Sequence, residues 1–153
     1  HTNGLTSYEL ITEIEKSFTI VKKGSSPYSP TLTDEISMYL RGAWYSLIAL
    51  PTSIKQDCVS KLDPAILSDN ILAPILGITD EKTDKNIVFE AGTILLTEIA
   101  EKVDTDDFEV AFILKPISIN ALKEVADNNL SMPPKSTYIE PKLRSGLIIY
   151  PLD

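Results

Sequence analysis

Residues 36–50 carry the pattern that most restricts how this chain can fold. From residue 36 to residue 40 apolar side chains alternate with more polar ones, and a second apolar run, rich in aromatic residues, follows from residue 43 to residue 50. Arg41 and Gly42 separate the two runs. A short connection that contains glycine is typical of the turn between two antiparallel strands. The segment therefore predicts a β-hairpin whose aromatic side chains pack within a sheet.

Four further segments have apolar residues at helical spacing, and each has a residue suited to a helix start. Thr6 opens a capping-box pattern in the first segment. Asp63 stands before a proline in the second, as an N-cap residue often does. Thr93 and Ser118 are the corresponding residues of the third and fourth. We therefore expect helices that begin near residues 7, 63, 93 and 118.

Short runs of alternating or β-branched residues predict strands at 18–22, 87–90, 108–114 and 146–150. Together with the hairpin, they predict an α+β fold: a mostly antiparallel sheet of about five or six strands with about four helices on one side. The chain shows no internal repeat and no segment that reads as a linker. We therefore expect residues 1–153 to form a single domain.

The small number of cysteine and histidine residues excludes several kinds of covalent, metal and catalytic site. Cys58 is the one cysteine and His1 the one histidine. This excludes an internal disulfide, a zinc site made of cysteine and histidine, and a Ser-His-Asp triad. We predict no metal site, no catalytic residue and no cofactor for this chain by itself, and a self-sufficient enzyme is the least favoured reading. A lone cysteine without an export signal favours a reducing cytoplasm.

The charge of the chain bears on its partners. Lys and Arg number 14 and Asp and Glu 22, so the net charge is −8. Such an acidic chain repels a phosphate backbone, which argues against nucleic acid as a partner. No apolar run approaches the roughly 18 residues of a membrane span, so no membrane partner is expected.

One short basic segment stands out from this acidic background. Lys135, Lys142 and Arg144 lie in a proline-rich stretch that also holds the hydroxyl groups of Ser136 and Thr137. Prolines lower the entropy lost when side chains are held in place. Cations, hydroxyl groups and turn amides are the groups that bind anions. These five residues are therefore the candidate anion- or ligand-binding site, and the alternative is a pinned loop whose lysines pair with surplus acids.

Three further residues are secondary candidates. Asp63 and Asp69 could face the same cleft as a base or a metal ligand. Simpler roles are open to both, because Asp63 suits a helix cap and Asp69 a solvated helix surface. Tyr138 directly follows the candidate anion site and also suits a stiff contact surface.

The same region resembles a known family. Residues 132–138 (MPPKSTY), 141–143 (PKL) and 145–147 (SGL) resemble the closing signature of an uncharacterised prokaryotic family named "domain of unknown function 1015". Segments 62–78 and 110–116 look like the middle of the same family. The likeness spans nearly the whole chain, and its terminal motif is the specific part.

The resemblance implies that this chain is the C-terminal portion of a protein more than twice as long. The family's N-terminal part carries a segment similar to an Asp-Gly-His-His-Arg motif, which relates it to nucleotide-handling proteins of the ParB-like and free-serine-kinase-like kinds. The resemblance therefore implies ATP and magnesium as cofactors of the longer protein. The chain also begins with His1 rather than Met, which favours the same expectation of a larger protein.

Two functions follow as competing hypotheses. In the first, the chain is a phosphate- or nucleotide-binding part of a larger small-molecule kinase-like enzyme, and its partner is a phosphorylated small molecule. In the second, it is a structural or interaction module without catalysis of its own. It then packs on the N-terminal portion of the same protein or forms a homo-oligomer.

Overall fold

The computed structural model describes residues 2–105 and 107–137. Within them lie four α-helices, Ser7–Ile14 (α1), Asp63–Leu67 (α2), Leu96–Asp104 (α3) and Ile119–Asp127 (α4). The strands are Phe18–Gly24 (β1), Glu35–Leu40 (β2), Ala43–Ala49 (β3) and Ala111–Ile113 (β4). A short 3-10 turn, Pro51–Ser53, follows β3, and one turn of π-helix, Ser68–Leu72, continues α2. None of these helices is long and apolar enough to cross a bilayer.

The predicted hairpin is confirmed and forms the centre of the sheet. The strand order is β1-β3-β2-β4, with every neighbouring pair antiparallel. Leu40 pairs with Ala43 across the turn, and Arg41 and Gly42 have φ angles of 43° and 82°. Two central residues with positive φ give the turn a twist that matches the twist of the strands. Glycine adopts this conformation without strain, which explains its position here.

One face of the sheet covers the main hydrophobic core. Ile36 lies opposite Leu47 and Met38 opposite Tyr45, so these side chains point to the same face. They pack with buried residues of α1, α2 and the π-helical turn, among them Leu10, Ile66 and Ile71. Ile14 and Phe18 of the same core are also fully buried. The α1 helix is fixed at its start by the predicted capping box of Thr6 and Glu9, which is confirmed.

The opposite face of the sheet is covered as well. Tyr39 and Trp44 lie on that face, directly opposite each other, and pack with Val103 of α3. Helices therefore cover both faces, and the expectation of helices on one side is wrong. The physical reason is that β2 and β3 are buried on both faces, and Tyr39 and Trp44 would be exposed to water if all the helices lay on the other side of the sheet.

A buried carboxylate fixes the loop between β1 and β2. Glu35 is fully buried and accepts hydrogen bonds from Tyr28 Oη at 2.7 Å and from the backbone amides of Thr31 at 2.6 Å and Leu32 at 2.7 Å. Ser46 of β3 donates to the same carboxylate. Burial raises the pKa of Glu35, but these hydrogen bonds outweigh it and lower the pKa to about 2. The loop is thus tied to the middle of the sheet by one side chain.

The sheet has fewer strands than the sequence predicts. Residues 87–90 form no strand, because they have no neighbour to pair with, and Val88 and Phe89 are 55% and 41% exposed. The predicted strand 108–114 is reduced to three residues in β4. The segment 146–150 lies outside the described residues. The described sheet therefore has four strands rather than five or six, whereas the α+β class with four helices is as predicted.

We predict that Glu35→Gln destabilises the protein by about 2–4 kcal/mol at pH 7, because the amide nitrogen of glutamine cannot accept bonds from the donors that surround it. The lowered pKa of Glu35 means that its stabilisation is complete above about pH 4.5 and is lost as the pH falls towards 2. The difference between the wild type and the variant should therefore shrink at pH 3. Urea unfolding followed by Trp44 fluorescence measures it, with the exposed Glu98→Gln as control. If Glu35→Gln is as stable as Glu98→Gln at pH 7, the prediction is wrong.

Candidate functional site

The candidate anion site begins with a tight turn at residues 133–136. Pro134 and Lys135 are its central residues, and the amide of Ser136 donates to the carbonyl of Pro133 at 3.4 Å. The side chain of Ser136 donates to the same carbonyl at 2.6 Å. Lys135 has a φ angle of 56° and an exposed side chain. The turn therefore fixes the backbone of Lys135 on the surface, and the hydroxyl proton of Ser136 closes the turn.

The turn lies five residues after the end of α4, and the contacts of this helix anchor the chain before the turn. The side chain of Ser118 accepts a hydrogen bond from the amide of Ala121 at 3.1 Å, so the predicted cap is confirmed. The Nζ of Lys61 lies 2.7 Å from a carboxylate oxygen of Glu124, which ties α4 to the segment before α2. Val125 is the fully buried residue of the helix. These contacts hold the start of the proline-rich segment to the body of the domain.

The other residues of the predicted site divide into two groups. Thr137 is exposed next to the turn, and no hydrogen bond of its side chain is found within the described part of the chain. Lys142, Arg144 and Tyr138 lie outside the described residues. Lys135 and Thr137 therefore carry the candidate anion site as far as the structure describes it, with Ser136 as the residue that holds the turn.

Asp63 does not cap α2, contrary to the simpler role suggested by the sequence. Leu62 is the N-cap residue, with extended backbone angles, and Asp63 is already helical and makes no capping hydrogen bond. A residue inside the first turn cannot bend its side chain back onto the amides that an N-cap residue reaches. The carboxyl group of Asp63 is instead half-buried at one end of the sheet.

The surroundings of Asp63 change its acidity. Burial and, to a smaller extent, the charge of Asp34 raise the pKa of Asp63 to about 6, although the charge of Lys115 opposes them. Lys115 follows β4, and its ammonium group donates to the carbonyl of Thr31 at 3.0 Å. Two carboxylates and a lysine thus meet where β2 begins and β4 ends. A carboxyl group with a pKa near 6 can accept or donate a proton near neutral pH.

Sequence reasoning missed Asp34 and Lys115. They are 81 positions apart, and no motif links them; the antiparallel pairing of β2 and β4 brings the two together. The sequence offered one signal for this site, the pair of acidic residues Asp34 and Glu35 at the start of an apolar segment.

Asp69 has a structural environment unlike that of Asp63. It is exposed, and its carboxylate lies 2.6 Å from the Nζ of Lys55. It belongs to the π-helical turn, whose amide of Ala73 donates to the carbonyl of Ser68 at 3.1 Å. No hydrogen bond or ion pair among the described residues joins Asp63 or Asp69 to the turn at Lys135. The described contacts therefore do not bring Asp63 and Asp69 into one cleft with the candidate anion site.

Metal binding has no candidate ligand set in this structure. Across residues 2–105 and 107–137, no three histidine, cysteine or carboxylate side chains come close enough to hold a metal ion.

We predict that Asp63→Asn stabilises the protein by about 1–2 kcal/mol at pH 7.5, because it removes the cost of ionising a half-buried carboxyl group beside Asp34. The pKa of Asp63 is raised from 3.8 to about 6. The free energy of unfolding of the wild type should therefore fall below that of the variant as the pH rises from about 4 to 6. Urea unfolding between pH 4 and pH 8 measures the effect. The exposed Asp127→Asn, which should change little, is the control. A variant no more stable than the wild type at pH 7.5 would disprove the effect.

Comparison with known proteins gives no further guide. No protein-family model matches the chain, and neither the curated proteins nor the solved structures contain a significant match.

Proposed function

We propose that this chain is the C-terminal part of a longer protein of the family "domain of unknown function 1015", and that its turn at residues 133–136 binds a phosphate group. The longer protein is a small-molecule kinase-like enzyme in this proposal. The phosphate belongs to a nucleotide or to a phosphorylated small molecule. The family likeness of residues 132–147 supports the first part, and the geometry of the turn supports the second.

The observation that carries the proposal is the position of the Lys135 ammonium group, which is exposed on the turn and has no ion-pair partner among the described residues. Four other lysines pair with carboxylates, namely Lys16, Lys55, Lys61 and Lys102. Lys135, like the exposed Lys85 and Lys123, makes no ion pair with any described residue, and it differs from them in its position on a turn that contains proline. An unpaired ammonium group on a proline-fixed turn is available to an external anion, and the fixed backbone lowers the entropy that binding costs.

In this proposal, the residues that catalyse phosphate transfer lie in the rest of the longer protein. No three histidine, cysteine or carboxylate side chains of the described residues come together as metal ligands, and no described contact joins Asp63 or Asp69 to the turn. The role that fits this chain is therefore to hold and orient a phosphate, while ATP and magnesium bind elsewhere in the enzyme.

We expect inorganic phosphate, phosphoserine or magnesium ATP to raise the melting temperature of the protein at matched ionic strength. Lys135→Ala should weaken the binding about tenfold or more, because one charge-assisted hydrogen bond contributes about 1.5–3 kcal/mol. Lys85→Ala is the matched control, since Lys85 is also an exposed loop lysine. Isothermal titration calorimetry measures both variants. Full binding by Lys135→Ala, or equal losses in both variants, would overturn the assignment of the turn.

The apolar surface of α4 favours a second candidate function, that of an interaction module. Ile119 is 82% exposed and Leu122 41%, and Leu130 just beyond the helix is 50% exposed. Large apolar side chains grouped on one short element are typical of a contact surface. The partner in this case is the N-terminal portion of the same protein or a second copy of the chain.

We expect this chain to form a stable complex with a separately expressed N-terminal portion, or to dimerise, and the double variant Ile119→Ser, Leu122→Ser to lose that association. The variant should keep its fold, because both side chains are exposed. Light scattering after size-exclusion chromatography gives the masses, and the exposed Tyr8→Ser is the control. A monomeric wild type that does not bind the N-terminal portion excludes the interaction module.

A further inference from the structure

The ladder of hydrogen bonds in the sheet shows which backbone groups of β4 are free. In a strand with two antiparallel neighbours, successive residues bond alternately to one neighbour and to the other. The amide of Ala49 donates to the carbonyl of Asp34 at 3.0 Å, so the even-numbered residues of β2 bond to β3 and the odd-numbered ones to β4. Ala111 and Ile113 pair with odd-numbered residues. The amide and carbonyl of Phe112 therefore face away from the sheet, and no hydrogen bond of either group is found within the described residues.

This open strand is apolar on both of its faces. Residues 110–114 read VAFIL and hold no charged or polar side chain. Phe112 packs against the main core, whereas Ala111 and Ile113 pack with the cluster of Tyr39 and Trp44. A short continuous apolar run of this kind is typical of a strand inside a sheet, with a neighbour on each side. All five residues are only half-buried at the edge where β4 lies.

The opposite edge of the sheet, β1, has the protection that β4 lacks. Lys22 and Lys23 are exposed on β1, and charged side chains, lysine above all, prevent an edge strand from pairing with a further strand. The charged residues nearest to β4, Glu109 and Lys115, lie outside its apolar run. The outer side of β4 therefore has the features of a pairing surface and not those of a protected edge.

We infer that residues 146–150 of the same chain pair with the outer side of β4 and form a fifth strand. This segment, GLIIY, is as apolar as β4, and of the strands predicted from the sequence it alone falls outside the described residues. Eight residues, 138–145, separate it from Thr137, the last residue described. An extended chain of eight residues spans up to about 26–29 Å, which is about the diameter of a small domain. The segment can therefore reach β4 in either direction.

The distribution of charge favours the same occupant. Lys142 and Arg144 come just before the segment, whereas Asp107 and Glu109 precede β4 and the carboxyl group of Asp63 lies near its end. Opposite charges therefore meet in either direction of pairing. The chain that carries Lys142 and Arg144 is then fixed at both ends, by the turn at residues 133–136 and by the fifth strand. The inference stands without phosphate binding, because its test contains no anion ligand.

Hydrogen exchange followed by NMR on the whole chain tests the pairing. The amide of Phe112 should exchange at least about a hundredfold more slowly than that of Ile20, which faces outward on β1 and has no partner among the described residues. Nuclear Overhauser effects should also connect Phe112 with residues 146–150. Exchange of Phe112 as fast as that of Ile20, or absence of these Overhauser effects, would overturn the inference.

The variant Ile148→Pro identifies the occupant, because proline removes an amide and cannot donate to a ladder. It should raise the exchange rate of Phe112 to about that of Ile20, whereas Leu152→Pro, outside the predicted strand, should leave this rate unchanged. The amide of Leu47, in the centre of the sheet, should stay protected in both variants and shows that the fold is kept. Protection of Phe112 that survives Ile148→Pro contradicts the inference. Protection that is lost on dilution does so too, since it would show that a second copy of the chain occupies this edge.

Discussion

The buried carboxylate of Glu35 is the interaction on which the arrangement of this domain depends. An ion removed from water costs several kcal/mol unless it is compensated. Here a tyrosine hydroxyl, a serine hydroxyl and two backbone amides surround it, and they come from β3 and from the loop between β1 and β2. The carboxylate thus joins the two central strands to the loop between β1 and β2, which has to pass β3. Ser37 adds a second tie by donating to the carbonyl of Tyr28 at 2.8 Å.

The position of that loop decides what lies on the second face of the sheet. Tyr28 packs with the cluster of Tyr39, Trp44 and Val103. Ser25 and Pro27, together with residues of α3, line a surface groove of about 480 Å³ at the hairpin end of the sheet. The groove is therefore a consequence of the loop being held down. On the other face, a smaller pocket of about 260 Å³ lies beside α1 and the π-helical turn.

Features encoded in neighbouring residues were predictable from the sequence. The hairpin, the capping box at Thr6 and the cap at Ser118 are each specified within a few positions, and each is present as expected. Thr93 is the counterexample. The amide of Ile94 donates to the carbonyl of Ala91 in a turn, so the helix begins only at Leu96 and Thr93 does not cap it. A capping residue is effective only if the chain enters the helix at that point, and this depends on what the preceding segment packs against.

The sequence by itself determined the strand alternation, the hairpin turn, the acidic charge and the exposed proline-fixed Lys135, because these depend on local sterics and composition. Only the tertiary structure decided that helices cover both faces, that Asp63 lies near Asp34 and Lys115, and that Asp104 accepts the hydroxyl of Tyr39. These contacts join residues tens of positions apart. They arise from strand pairing and from the burial of side chains on both faces of the sheet, which no local pattern of residues specifies.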